Sequence, residues 1–263
     1  MKRISIFSVI LLSVVFISCD KDDDDTYQQQ PLPINATVVK AAGDSAGILN
    51  KLNEFRALAG DPVNNAPGAT GGRREVNWDG VPANFSNANN FPFDFFGSSD
   101  PNAGNGRKRG LIMSTAGNSF RVDSTDFKEV DPSYAGQFEA FTRKRLFMSM
   151  NSVVTDVTFK VPGTATDASV KSFAVIFSDV DQSNTASVEY FNGTKSLGQF
   201  FANPASQGFS LVGVKFPTEK ITRAKIISGN AILAGGVTDI SNGGTKDLVV
   251  MDDFIYDEPK TDN

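Results

Sequence analysis

From residue 110 to residue 256 the apolar residues come in short bursts separated by Gly, Asn, Asp, Ser and Pro, which is the pattern of strands rather than helices. The bursts lie at 110–114, 119–122, 145–150, 153–161, 170–178, 186–191, 195–202, 209–216, 221–228 and 246–256. Several keep the two-residue rhythm of a strand with one buried face. Val153, Val157, Phe159 and Val161 fall on one side, with Thr155 as the weak member, and Val154, Asp156, Thr158 and Lys160 fall on the other. Asn192-Gly193 separates two such runs and predicts a two-residue hairpin turn, because both residue types tolerate positive φ. No repeat of fixed period is present, which argues against a propeller or solenoid. The pattern predicts an all-β fold, a jelly-roll β-sandwich over 61–259, with a short tail at 260–263.

One helix is expected before the sandwich, over 44–60. Asp44 or Ser45 can cap it, and Ile48, Leu49, Leu52, Phe55 and Leu58 recur at three- and four-residue spacings. Gly60 and Pro62 end it. Residues 61–72 and 83–108 read as loops by composition. The second loop carries Phe85, Phe91, Phe93, Phe95 and Phe96, rings expected to cap the core, with a ligand platform as the alternative.

The N-terminus reads as an address. Lys2 and Arg3 precede an apolar run from Ile4 to Ile17, too short to span a bilayer, and Ser18-Cys19 follows. Phe16-Ile17-Ser18-Cys19 resembles a lipobox, with Phe16 where Leu is commoner. The expectation is a signal peptide at 1–18, lipidation of Cys19 and a tether at 19–43. Asp20-Lys21-Asp22-Asp23-Asp24-Asp25 resembles the surface-export signal of certain Gram-negative lipoproteins, so the expected location is the outer membrane, facing outward. Acyl chains, not the acidic tether, would supply the membrane affinity.

Chemistry is limited by what is missing. The chain has no His and one Cys, so with Cys19 lipidated the Ser-His-Asp and Cys-His nucleophiles and His-ligated zinc are all unavailable. A formal charge of −5, more negative still once Lys2 and Arg3 are removed, offers nothing to nucleic acid. Carboxylate pairs and oxygen-ligated hard cations remain.

Three acidic clusters stand out: Glu75 to Gly80, Asp179-Val180-Asp181, and Asp252-Asp253 within the last strand. Buried carboxylates need a cation, an arginine or several donors, and Arg73, Arg74, Arg143 and Arg145 could supply ion pairs. Asp179 and Asp181 could instead simply begin a turn. The segments Gly72-Arg73-Arg74-Glu75-Val76-Asn77-Trp78-Asp79-Gly80, Phe177-Ser178-Asp179-Val180-Asp181, Phe209 to Val214 and Val250-Met251-Asp252-Asp253-Phe254-Ile255-Tyr256 resemble recurrent segments of uncharacterised secreted bacterial proteins, some carrying PEP-CTERM sorting signals. The likeness runs from about Phe55 to Pro259 and brings no activity with it. The strand pattern looks like that of jelly-roll carbohydrate-binding modules, a likeness of fold alone. By that likeness Glu75 or Asp79 would share a structural calcium with Asp252 or Asp253, with ion pairing to Arg73 and Arg74 as the alternative.

The expected function is a non-catalytic surface module for an extracellular glycan or polymer, using Trp78, Tyr134, Phe138, Arg143, Asp179, Asp181 and Tyr190 to stack on and hydrogen-bond its ligand. The alternatives are a structural or adhesive envelope protein, and a carboxylate-dependent glycoside hydrolase or lyase drawing on Glu75, Asp79, Asp179, Asp181 or Glu189.

Overall fold

The computed structural model describes residues 35–261. The signal peptide, Cys19, the acidic run and the tether as far as residue 34 lie outside the described residues, as do positions 262–263 of the tail.

Two antiparallel sheets pack face to face. In the first, β1 (Thr37–Gly43), β11 (Ala205–Lys215), β8 (Ser172–Val180), β13 (Val250–Asp257), β5 (Leu146–Ser149) and β4 (Phe120–Asp123) lie side by side, and β2 (Arg73–Val76) also pairs with β13. The second sheet runs β10 (Lys195–Phe201), β9 (Ser187–Asn192), β12 (Arg223–Ile227), β6 (Val154–Lys160) and β3 (Leu111–Ser114), with β7 (Asp167–Ala168) on β6. The orders β5-β13-β8-β11 and β6-β12-β9-β10 are the two four-stranded layers of a jelly roll, so the predicted fold holds.

The core between the sheets is aromatic. Phe173, Phe254, Tyr256, Phe159 and Tyr190 pack edge to face or tilted through its middle, and Trp78, Phe91, Phe96 and Phe147 fill one end. Of the loop phenylalanines, Phe91, Phe95 and Phe96 are buried and cap that end as expected. Phe93 stays exposed with its ring against Phe120.

α1 (Ser45–Ala59) lies on the outer face of the first sheet, capped by Asp44, whose carboxylate accepts from the Gly47 amide. Ile48, Leu52, Phe55 and Ala59 are its buried stripe; Leu49, expected on that face, is exposed. The Phe55 ring reaches the sheet because Gly213 of β11 has no side chain: a Cβ there would sit 2.5 Å from Phe55 Cδ2.

Two expectations are corrected. Residues 37–43 are not tether: they form β1, paired along its length with β11, and Val39 is buried beneath α1. Their small and β-branched side chains gain order from an existing edge, which composition alone does not reveal. The hairpin turn lies one residue later than predicted, since Asn192 pairs with Lys195 and the loop is Gly193-Thr194. Only Gly193 takes positive φ, at +60°, so one glycine meets the turn's demand.

An ion pair buried at the end of the sandwich ties distant segments together. Arg74 donates from Nε (2.8 Å) and Nη2 (2.7 Å) to the two oxygens of Glu258, just beyond β13. Asn64 Nδ2 donates to the same carboxylate at 2.8 Å, and Arg74 also reaches the Ala66 carbonyl at 2.9 Å. Arg74 and Glu258 are 0% and 2% exposed, so neither charge has water to fall back on. Glu258→Ala is expected to destabilise the domain by about 3–5 kcal/mol in urea titrations, because it strands the guanidinium. The double variant Arg74→Met, Glu258→Leu is expected to recover most of that loss. A small effect from the single variant would show the pair to be dispensable.

Candidate functional site

The aromatic residues predicted to receive a sugar are inside the protein. Trp78 is 0% exposed, stacked on Phe147 at 4.1 Å between centroids, and its Nε1 donates to the Asp252 carbonyl at 2.9 Å. Tyr134 is fully buried with its hydroxyl 2.9 Å from the carbonyls of Ala234 and Val237. Tyr190 is fully buried and donates to the Phe173 carbonyl at 3.0 Å. Phe138 is buried as well. The expected stacking platform is therefore corrected: these rings bury large apolar areas, and their polar tips have found backbone acceptors. Arg143 is exposed, at φ +55°, and among the described residues it makes no hydrogen bond or ion pair with the other predicted ligand residues.

Among the described residues the predicted calcium ligands are not gathered into one cluster of oxygens, although Glu75 stands near enough to Asp253 to add to the upward push that burial gives its carboxyl. Glu75 accepts from Arg56 Nε (3.0 Å) and Nη2 (2.9 Å) and from Arg73 Nε (2.7 Å), so ion pairing is its solution; Arg74 has turned to Glu258. Asp79 accepts from the Lys144 amide at 3.1 Å. Asp252 and Asp253 occupy a bulge, since Met251 faces Phe177 and Phe254 faces Val175 across β8, leaving both opposite Ile176. Thr142 serves both, its amide to Asp252 at 3.0 Å and its hydroxyl to Asp253 at 2.6 Å, and one oxygen of each carboxyl has no partner. Burial, then the charge of Asp253, pushes the Asp252 carboxyl well above the ordinary range, and burial pushes Asp253 up to about 6.

A different trio does converge. Among the described residues one carboxylate oxygen from each of Asp179, Asp181 and Asp239 lies within 4.8 Å of the other two. Asp179, next to last in β8, has φ +67° and accepts from the Gln207 amide at 2.7 Å and from Gln137 Nε2 at 3.0 Å. Asp239 accepts from the Leu248 amide at 2.7 Å and from the Ser241 amide and hydroxyl at 2.8 Å. Asp181 turns one buried oxygen inward with no partner. Burial pushes Asp179 up to about 6; burial and the Asp239 carboxylate beside it push Asp181 up to about 7. Such a group satisfies itself either by keeping a proton or by holding a hard, oxygen-ligated cation. Asp239 was missed because it sits in a loop far along the chain, where nothing local marks it.

A cleft of about 430 Å³ opens between the end of β2 and the loop at 95–109. Glu75, Asn77, Asn65, Arg107 and Arg109 line it beside Phe95 and Phe96. The Arg107 guanidinium lies over the Phe95 ring, 4.8 Å from its centroid. Arg109 Nη1 donates to the Asn64 carbonyl at 3.0 Å and to Asn65 Oδ1 at 3.1 Å. Neither arginine carries a motif, and sequence reasoning passed over both.

The raised carboxyls have a consequence for stability. The folded chain keeps these protons after the unfolded chain, whose aspartates titrate near ~3.9, has lost them. The resulting stabilisation is complete below about pH 4 and is lost as pH rises through about 6 for Asp179 and Asp253 and about 7 for Asp181. In chelator, the melting temperature is expected to fall from pH 5 to pH 8. Asp181→Asn should flatten that slope by raising the melting temperature at pH 8 more than at pH 5. An unchanged slope in scanning calorimetry would remove Asp181 from the account.

Compared with protein-family models, with curated proteins and with solved structures, the chain matches none. What the protein does must therefore be argued from its own side chains.

Proposed function

We propose that this chain is a non-catalytic β-sandwich binding module, held at the cell surface by lipid on Cys19, that takes an extracellular glycan or similar polymer. The observation that carries the reading is the cleft at 95–109, where amide, carboxylate and guanidinium groups line an open space of about 430 Å³. That volume is within the ~300–1,000 Å³ of ordinary ligand sites. With the aromatic platform gone, hydrogen bonding replaces stacking as the means of recognition. A hydrolase is less well supported, because Glu75 has both oxygens taken by Arg56 and Arg73, and Glu189 accepts from the Ser196 hydroxyl at 2.8 Å.

Glycan-array binding by the purified mature chain, followed by product analysis of every hit, tests this reading. Binding without turnover is expected. Turnover would replace the module with an enzyme, and absence of binding to any glycan would leave a structural or adhesive role. The anchor is checked alongside, as palmitate labelling of the expressed precursor should vanish in Cys19→Ala.

A second reading concerns calcium. The Asp179, Asp181 and Asp239 trio favours a cation in place of the originally expected shell, since its oxygens are already gathered and one of them is unpartnered. At pH 8, saturating calcium is then expected to raise the melting temperature. The stabilisation would reach about 2.7 kcal/mol at a hundredfold excess over Kd, and would be lost in Asp181→Asn. Equal melting with calcium and with chelator would end this reading.

A further inference from the structure

We infer that the cleft recognises an acidic saccharide, with the guanidinium groups of Arg107 and Arg109 receiving the sugar's anionic group. The inference rests on the binding-module reading and names the class of its ligand.

The argument begins with how the neighbouring charges are spent. Glu75 is the acidic residue lining the cleft, and Arg56 and Arg73 hold it within 3.0 Å, so its charge is already offset. Behind it, Arg74 takes both oxygens of Glu258, with Asn64 on the same carboxylate. Arg107 and Arg109 are left without a carboxylate partner among the described residues, although each is partly buried. Arg109 is held with its guanidinium desolvated and near Arg74, and burial lowers its pKa. In a chain of net charge −5 carrying several surplus carboxylates, two partly buried guanidiniums facing one cleft without a counter-charge mark where an anion would gain most.

Geometry adds selectivity. The Arg107 guanidinium lies 4.8 Å from the Phe95 ring centroid with Nε 3.5 Å from the Phe95 carbonyl, which leaves its two Nη groups for an oxyanion, the arrangement in which arginine bonds in pairs. Arg109 is positioned by the Asn64 carbonyl and by Asn65 Oδ1, and that second bond occupies the Asn65 oxygen and leaves its amide nitrogen as a donor. Asn77 offers a further amide for hydroxyl groups. Phe95 and Phe96 lie buried behind this wall, so the polar groups, not ring faces, meet the ligand. A neutral glycan would use the amides and leave both guanidiniums uncompensated; an acidic one answers both.

Isothermal titration of the mature full-length chain against three oligosaccharide probes, a polyuronate, a sulfated glucan and a neutral glucan, tests the inference. Binding to at least one acidic probe is expected, tighter than to the neutral one, and the uronate and sulfate arms show which oxyanion is preferred. Arg109→Gln, which can keep a bond to the Asn64 carbonyl, and Arg107→Ala should each weaken the acidic probe by about tenfold or more, the loss of a charge-assisted hydrogen bond. Lys128→Ala, an exposed change elsewhere, should leave binding as it was. Melting curves of both arginine variants matching the parent would separate lost recognition from lost folding. Acidic binding that survives both variants, or neutral binding that equals acidic, would overturn the inference while leaving a glycan module in place. No binding to any of the three probes, with none on the glycan array, would overturn the module reading as well.

Discussion

The buried pair of Arg74 and Glu258 is the contact on which this end of the molecule depends. It joins β2 and the adjoining loop at 61–72 to the chain beyond β13, where Glu258 lies 184 residues after Arg74. A sandwich with a single cysteine has no disulfide to do this. Because both charges are out of water, the pair is worth little against an apolar substitute but much against the loss of either partner. Its effect also reaches the cleft. By consuming Glu258 it leaves Arg109 without a carboxylate, so a structural choice in the interior sets the charge presented to a ligand.

Acidic residues placed in apolar strands are handled in several ways here. Glu75 is met by arginines from α1 and from its own strand. Asp257 accepts from the amides of Lys171 and Ser172, which join β13 to the start of β8. Asp252 and Asp253 are turned to one side by a bulge and shift toward their protonated forms. Asp179, Asp181 and Asp239 meet across two loops and share one small volume. Each solution offsets the same desolvation cost, and each requires a different neighbour.

The fold was largely legible. Period-two runs located most strands, and the stripe of Ile48, Leu52 and Phe55 located the helix, because both signals are carried by neighbouring residues. β1 was not legible, since its short, small-residue sequence becomes a strand only by pairing with β11. Trp78, Tyr134 and Tyr190 were equally ambiguous: an aromatic beside polar residues reads the same whether it faces sugar or core. The core claimed all three, and their Nε1 and hydroxyl groups were satisfied by carbonyls supplied from distant strands and loops.

By itself the sequence determined the all-β class, the absence of histidine chemistry, and that Glu75, Asp252 and Asp253 would need partners, because composition and periodicity are local properties. Only the tertiary structure decided which partner each one found. Glu75 went to Arg56 as well as Arg73, Arg74 went to Glu258, Asp239 joined Asp179 and Asp181, and Arg107 and Arg109 were left facing the cleft. The physical reason is that a charge is compensated by whatever lies within a few ångströms of it, and in a jelly roll those neighbours come from strands and loops far apart in the chain.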